Sequence, residues 1–143
     1  MRYPILLKQF SIIVLFSIIV VFNVLSADTT TGQIKGILVS ENKGKAIAGR
    51  LINLMRVLEY SSNKKYPMLV IVDEEGSAVP VEDSKISTET KKSGSFLLEK
   101  VPPGKYLLIS QNFVVRDDQG KRIVFELNAG QTVDLGTVTM PVR

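Results

Sequence analysis

The chain has 143 residues, of which 45% are hydrophobic and 22% charged, and its formal net charge is +4. This length fits a single domain. The sequence contains no His, Cys or Trp, which excludes imidazole bases, thiolate nucleophiles, disulfides and metal sites built from His or Cys. We therefore predict a protein that is not an enzyme and needs no cofactor.

Residues 1–27 have the order of an export signal. Two positive charges, Arg2 and Lys8, precede a long apolar run, and small residues ending at Ala27 follow it. This order is typical of a secretory signal peptide, so we predict a signal helix that is cleaved after Ala27. The length of the run also fits an uncleaved membrane anchor, and that alternative stays open. Either form places the rest of the chain outside the cytoplasm, in the periplasm, at the cell surface or secreted.

The charge of the remaining chain argues against a nucleic-acid partner. Removing Arg2 and Lys8 with the leader lowers the net charge from +4 to +2. The other lysines and arginines are interleaved with acids, whereas nucleic-acid binding needs a clustered basic face. Membrane contact is expected only through residues 1–27, if they remain attached. Residues 28–33 are mostly polar and unpatterned, and we interpret them as a linker.

Residues 34–140 have the pattern of one all-β domain. Short runs rich in Val, Ile, Leu, Tyr and Phe are bounded by Gly, Asn, Asp or Pro, and none sustains a helical period. Two apolar sheet faces can cover each other without a helix, so we predict a single antiparallel, Greek-key-type β-sandwich of about seven strands. The candidate strands are about 33–39, 47–57, 67–72, 85–90, 95–99, 105–115, 121–127 and 132–139.

Turn residues separate these runs. Residues 42–44 end in a glycine and are predicted to form a hairpin connection. Pro102 and Pro103 lack amide donors, so the chain must turn there and cannot continue a ladder. Residues 128–131 are predicted to close the last hairpin. In the final run the apolar positions change face, which a β-bulge at Gly136 would reconcile.

The segment from about 58 to 85 is too long for a simple hairpin loop and carries a candidate strand of its own. Long insertions in compact domains are often functional. We predict that a ligand or partner surface, if the protein has one, lies here. Its candidate residues are two tyrosines and three consecutive acids: Tyr60, Tyr66, Asp73, Glu74 and Glu75.

Three motifs occur in order along the chain: IKGILV with its internal Gly36, AIAGRLINL, and TETKKSGSFLLEKVPPGKYLL. Together they resemble the carboxypeptidase regulatory-like domain of exported bacterial proteins, one of the transthyretin-like (prealbumin-like) sandwiches. LNAGQTVDLGTVTM is similar to the closing hairpin of that family. The resemblance covers about 34–140 and implies structural roles for seven residues: Gly36, Gly94, Phe96, Pro102, Pro103, Gly104 and Tyr106.

This chain departs from the family pattern at three places. TETKK lacks the Asp that usually follows the Thr, and Arg50 replaces a small residue of the second strand. The segment 58–85 lengthens a connection that is often shorter in the family. The motif residues are mostly turn glycines, prolines and core apolar residues, so the resemblance is informative about fold and uninformative about function.

Domains of this fold family carry out two kinds of covalent reaction that the resemblance makes worth considering. Transthyretin-like folds include a hydrolase of 5-hydroxyisourate, whose site uses histidines and a Tyr-Arg-Gly-Ser end; this chain has neither. Related adhesin stalk domains form an isopeptide between a first-strand Lys and a last-strand Asn beside a carboxylate. Lys35 would supply the amine, but no Asn follows Asn128. We therefore expect neither reaction.

Two hypotheses about function remain. The first is a non-enzymatic exported module that binds a protein partner or a cell-envelope component, or is structural there. The second is a carbohydrate or small-molecule module that uses Tyr60 and Tyr66, which the absence of Trp makes weaker. Five acids, Asp73, Glu74, Glu75, Glu82 and Asp83, could also gather round Ca²⁺, although they lack EF-hand spacing.

Overall fold

The computed structural model describes residues 30–59, 69–72, 76 and 78–142. The predicted leader and the five candidate surface residues of the 58–85 segment lie outside the described residues. The part of the chain that the structure describes has no helix. It accordingly offers no helix that is long and apolar enough to cross a membrane.

The described residues form nine strands. Their bounds are β1 (Gly32–Ser40), β2 (Leu51–Val57), β3 (Leu69–Val72), β4 (Ala78–Glu89), β5 (Ser95–Val101), β6 (Gly104–Ser110), β7 (Phe113–Val114), β8 (Phe125–Leu127) and β9 (Thr132–Met140). Gly32 and Gln33, which we predicted as the end of the linker, belong to β1. The predicted strand 121–127 is shorter in the structure, where only β8 is formed.

The strands make two sheets. One has three strands in the order β5-β1-β9, and the other has six in the order β3-β4-β2-β6-β7, with β8 also paired to β6. The prediction of an all-β sandwich is confirmed. The structure has nine strands where about seven were predicted from eight candidate runs, and the additional strand is β7, which arises because the run 105–115 is divided.

The predicted sandwich was antiparallel throughout, and one pairing differs. β1 and β9 run parallel, so the three-stranded sheet is mixed. This follows from the connection at 128–131, which does not close a hairpin: β8 lies in one sheet and β9 in the other. A chain that changes sheets can enter the second one in either direction, and no tight turn imposes antiparallel pairing.

The turn at 42–44 also joins different sheets. The amide of Gly44 donates to the carbonyl of Ser40 at 2.9 Å, so the tight turn is formed. It leads from β1 in the three-stranded sheet to β2 in the six-stranded sheet. The predicted hairpin is formed only next to the turn, where Val39 pairs antiparallel with Ala46 and the amide of Ile47 donates to the carbonyl of Leu38 at 3.0 Å. β2 itself does not pair with β1.

The predicted bulge at Gly136 is confirmed. The pairing of β1 with β9 moves from Lys35 opposite Asp134 to Ile37 opposite Thr137, so two residues of β9 face one residue of β1. Gly136 has φ 64, a conformation that glycine adopts without steric cost. The bulge changes the face on which later residues point, and Val138 and Met140 are consequently buried.

The main core lies between the two sheets. Alternate residues of β1 and β2 point into it, as a two-residue period requires. Its buried members are Ile34, Leu38, Ile52, Leu54, Phe96, Leu98, Val101, Tyr106, Leu108, Val115, Leu127, Val138 and Met140. Every buried side-chain nitrogen or oxygen among the described residues has a hydrogen-bond partner, as is usual in a stable interior.

The predicted strand 105–115 is two strands. Gln111 and Asn112 have φ values of 48 and 69 and form a tight turn between β6 and β7. Consecutive residues with positive φ suit the twist of a two-residue hairpin. The sequence lacks a glycine at this turn, which is why it was missed.

Candidate functional site

The segment 58–85 is only partly an insertion. β2 ends at Val57, and the next residue, Leu58, donates its amide to the carbonyl of Pro80 in β4 at 2.9 Å. β4 pairs with the whole length of β2 and is therefore an integral strand of the sandwich. The predicted strand 67–72 is present as β3, which pairs with the first residues of β4. The addition to the sandwich is thus β3 and its two connections.

β3 carries a group of exposed apolar side chains. Leu69, Val70 and Val72 are 57%, 43% and 59% exposed. A strand that is exposed and wholly aliphatic contributes little to the core, although it places apolar area in water. Such a group is typical of an interaction surface.

A second apolar cluster lies on the face of the six-stranded sheet that points away from the core. Leu54 and Leu108 face the core, so their neighbours Met55 and Leu107 face the other side. The cluster comprises the buried Met55, Val81 and Leu107 with the partly buried Val57, Ile71, Val79 and Ile109. We call these seven residues the outer cluster.

Sequence reasoning missed the outer cluster. The available signal was the pair of consecutive apolar residues in each central strand, Leu54-Met55 and Leu107-Leu108. Strands that are covered on both faces have continuous apolar runs, whereas strict alternation marks a sheet with one wet face. Ile71 of β3 belongs to the outer cluster, which therefore continues to the edge of the sheet.

The residues predicted for a ligand or partner surface are not described. Tyr60, Tyr66, Asp73, Glu74 and Glu75 lie outside the described residues, and their role stays a prediction. Over 30–59, 69–72, 76 and 78–142, the structure has no group of three or more His, Cys, Asp or Glu residues that could hold a metal ion. Calcium binding by the acids of residues 73–75 together with Glu82 and Asp83 of β4 likewise stays a prediction.

Gly36 and Gly94 occupy positions where a side chain would collide with neighbouring atoms. A methyl group on Gly36 would lie 2.7 Å from Cζ of Phe96, because the phenyl ring packs across the backbone of β1. Gly94 has φ 77, and a methyl group there would collide with the carbonyl oxygen of Leu38. Both glycines therefore let β1 approach the adjoining chain closely.

Pro102, Pro103 and Tyr106 form a structural corner. β5 ends at Val101 and β6 begins at Gly104, so the prolines carry the chain from one sheet to the other. The hydroxyl of Tyr106 donates to the carbonyl of Pro102 at 2.8 Å. Burial raises the pKa of the Tyr106 phenol, and the charge of Arg56 opposes this effect. The ring is buried and the hydroxyl is hydrogen-bonded, as expected for a tyrosine with a structural role.

Lys35 and Asp134 lie opposite each other on β1 and β9, and Nζ is 3.2 Å from Oδ2. Their side chains are 51% and 59% exposed, so water screens the pair. A hydrogen bond from the amide of Gly136 and the contact with Lys35 hold the pKa of the Asp134 carboxyl below its ordinary value. An ionised carboxylate resists attack by an amine, so the pair favours an ionic contact over a covalent bond.

A shallow cleft of about 500 Å³ lies beside the turn between β1 and β2. Lys43, Lys45 and Arg50 line it, together with small apolar residues. These cations extend from an exposed turn. Ser40, a buried polar residue that lines the cleft, already accepts a hydrogen bond on its hydroxyl from the amide of Lys45 at 3.3 Å. We assign no ligand to this cleft.

No protein-family model matches the chain, and no curated protein has significant similarity to it. Among solved structures, the major pilin subunit of Bacillus cereus aligns with 77% of this chain and 30% of its own, with 17% identity and a TM-score of 0.42. A streptococcal ancillary pilin aligns with 80% and 34%, with 18% identity and a TM-score of 0.45. A DUF3823 family protein from Bacteroides uniformis aligns with 74% and 42%, with 14% identity and a TM-score of 0.39.

The chain thus spans less than half the length of each of these proteins. At this level of similarity they carry no argument about function. The two-sheet sandwich rests on the strand pairings of the chain itself.

Proposed function

We propose that this chain is an exported, non-enzymatic β-sandwich module of the carboxypeptidase regulatory-like type, which binds protein at the periplasm or cell surface. The observation that carries the proposal is the group of exposed aliphatic side chains on β3. They lie on a strand added beside the sandwich and are not needed to cover its main core. Exposed apolar groups of this kind favour a protein partner.

The polar chemistry of the domain supports a binding role over a catalytic one. The chain contains no His or Cys, so a nucleophile would lack the usual activating base. Tyr106 and Asp134, whose pKa values are shifted, each have a structural partner: the carbonyl of Pro102 for the first and Gly136 with Lys35 for the second. Neither arrangement pairs a nucleophile with a base.

Export is supported by the order of charge, apolar run and small residues in residues 1–27. The test is protease accessibility of the full chain in intact bacterial cells and in spheroplasts. We expect residues 28–143 to be accessible without lysis of the inner membrane. A variant with Arg2→Glu and Lys8→Glu is the control, because positive charges before the apolar run orient it. Protection of the native chain until lysis would contradict the proposal.

Protein binding can be tested at the exposed strand itself. A photo-reactive amino acid at position 72 would cross-link a partner that lies against β3. The matched control is position 97, an apolar residue of β5 that is 39% exposed. We expect an adduct with a cell-envelope protein from position 72 and none from position 97. Equal adducts from both positions, or none from either, would refute binding at β3.

A further inference from the structure

The end strands of the two sheets differ in how they are protected. β5 carries Glu99 and Lys100, and Lys100 has φ 55, which interrupts a regular ladder. β9 exchanges hydrogen bonds with Arg116 through Thr139, and β7 and β8, which share the other edge of the six-stranded sheet, have only two and three residues. β3 has four aliphatic residues and no charge. Natural proteins place charges, bulges or covering segments on free edges, so β3 differs from the other described end strands.

No described strand pairs with the outer edge of β3, which presents backbone donors and acceptors. Val70 lies opposite Pro80, which has no amide hydrogen and whose carbonyl accepts from Leu58 on the other side of β4. Val70 and Pro80 are therefore a pair without mutual hydrogen bonds, and the N–H and C=O of Val70 point away from β4. The same holds two residues later for Val72. An added strand would find two donors and two acceptors there.

The sequence around β3 favours a second copy of this chain as that strand. LVIV is aliphatic on both faces, with Ile71 in the outer cluster and the valines on the opposite face. Lys64 and Lys65 precede the strand, and Asp73, Glu74 and Glu75 follow it. Antiparallel pairing of two copies brings the basic flank of each toward the acidic flank of the other. Parallel pairing would instead oppose like charges, which is unfavourable.

We propose that the protein forms a symmetric dimer by antiparallel pairing of β3 with β3 of a second copy, which joins the two six-stranded sheets edge to edge. The two-fold axis passes beside Ile71, so that Ile71 faces its counterpart and Val70 faces Val72 of the other copy. This register uses all four outward backbone groups in each copy and places both outer clusters on one face of the joined sheet. The proposal deepens the protein-binding function by naming the partner.

Cysteine cross-linking tests the register, because the native chain has no Cys. In the proposed dimer the two Ile71 residues are a pair without mutual hydrogen bonds, about 4.5 Å apart between Cα atoms, within the range of a disulfide. The two Leu69 residues are about 13 Å apart along the ladder. We therefore expect the purified full chain in mild detergent to form a disulfide dimer on oxidation as Ile71→Cys, and to remain monomeric as Leu69→Cys.

A second pair of variants tests the same register without replacing Ile71, which is half-buried and whose substitution could disturb the fold. Val70→Cys and Val72→Cys change exposed positions, and we expect a mixture of the two chains to cross-link more than either chain alone. Val72→Lys adds an edge charge and should abolish the cross-link of Ile71→Cys, whereas Leu97→Lys on β5 should leave it unchanged. Equal cross-linking of Ile71→Cys and Leu69→Cys would refute the register. Absence of a cross-link in both Ile71→Cys and the mixture would refute the dimer.

These measurements use purified protein, so they do not depend on export or on another envelope protein. A cross-linked dimer, with an adduct from position 72 in cells that contains only a second copy of this chain, would support the second copy and refute a different partner. An adduct between position 72 and another protein, with no cross-link in the purified chain, would overturn the dimer and leave the proposed function standing.

Discussion

Two turn glycines with the same backbone conformation allow steric contact to be separated from conformational strain. Gly94 and Gly120 both have φ 77. A methyl group on Gly120 would meet nothing within 4 Å. A methyl group on Gly94 would meet the carbonyl oxygen of Leu38 and lie 3.3 Å from Cβ of Ala46. Gly120→Ala and Gly94→Ala therefore both place an alanine in the same left-handed conformation, but only Gly94→Ala adds a collision.

The expected losses of unfolding free energy follow from these contacts. Gly120→Ala should cost about 1 kcal/mol, since the left-handed conformation disfavours a Cβ by roughly 1 to 2 kcal/mol, offset in part by the lower entropy of the unfolded chain. Gly94→Ala carries that cost and a further 1 to 3 kcal/mol, roughly, for overpacking. The collision also displaces the hydrogen bond from the amide of Leu38 to the carbonyl of Gly94, now 2.8 Å.

The assay is urea unfolding of the full chain in mild detergent, followed by far-ultraviolet circular dichroism. Both variants and the native chain are compared at one protein concentration. We expect the midpoint to fall for both variants and to fall further for Gly94→Ala. Equal midpoints for the two variants would show that the Leu38 carbonyl does not limit the site, and the reasoning would be refuted.

Three further predictions concern other motif residues. Tyr106→Phe should lower the unfolding free energy by about 1 kcal/mol at neutral pH. The folded-state pKa of Tyr106 is raised above 10.0, so the difference in unfolding free energy between the native chain and the variant should narrow as the pH rises through that pKa. A difference that widens in alkaline urea titrations would contradict the prediction. Gly36→Ala should lower the unfolding free energy by roughly 1 to 3 kcal/mol through contact with the Phe96 ring. The double variant Gly36→Ala with Phe96→Leu should lose less unfolding free energy than the sum of the losses in the two single variants, and a double-mutant cycle measures this coupling. The intact mass of the folded protein should show no loss of water between Lys35 and Asp134, since the Asp134 carboxyl is held ionised; a mass lower by one water that maps to these residues would show that the pair is covalent.

Much of the fold could be predicted because its signals are local. Alternating apolar residues mark the inward positions of β1, and the glycine at 136 marks the bulge of β9. The start of β4 could not be predicted. Pro80 and the acids near it are typical of a loop, yet Pro80 is accommodated because it occupies a position without a hydrogen bond to β3.

The sequence indicated where a strand is added to the sandwich, and the role of the tyrosines and acids around it stays a prediction. The length of the segment 58–85 indicated an addition, and the structure places β3 within it as the end strand of the six-stranded sheet. The tyrosines and acids have side chains whose chemistry suggests binding. The exposed aliphatic residues give no such signal, because an apolar run in a sequence has the same pattern whether it is covered or lies at an edge.

The sequence by itself determined that the chain is built of strands, where it turns at glycine or proline, and which residues of β1 point inward, since these depend on neighbours within a few positions. The tertiary structure alone decided which strands pair. It made β1 and β9 parallel, put Lys35 beside Asp134, and placed β3 at the end of the six-stranded sheet among the described strands. Those outcomes depend on contacts between residues that are distant along the chain. The burial and backbone pairing of such residues are decided together, so they leave no pattern in any short stretch of sequence.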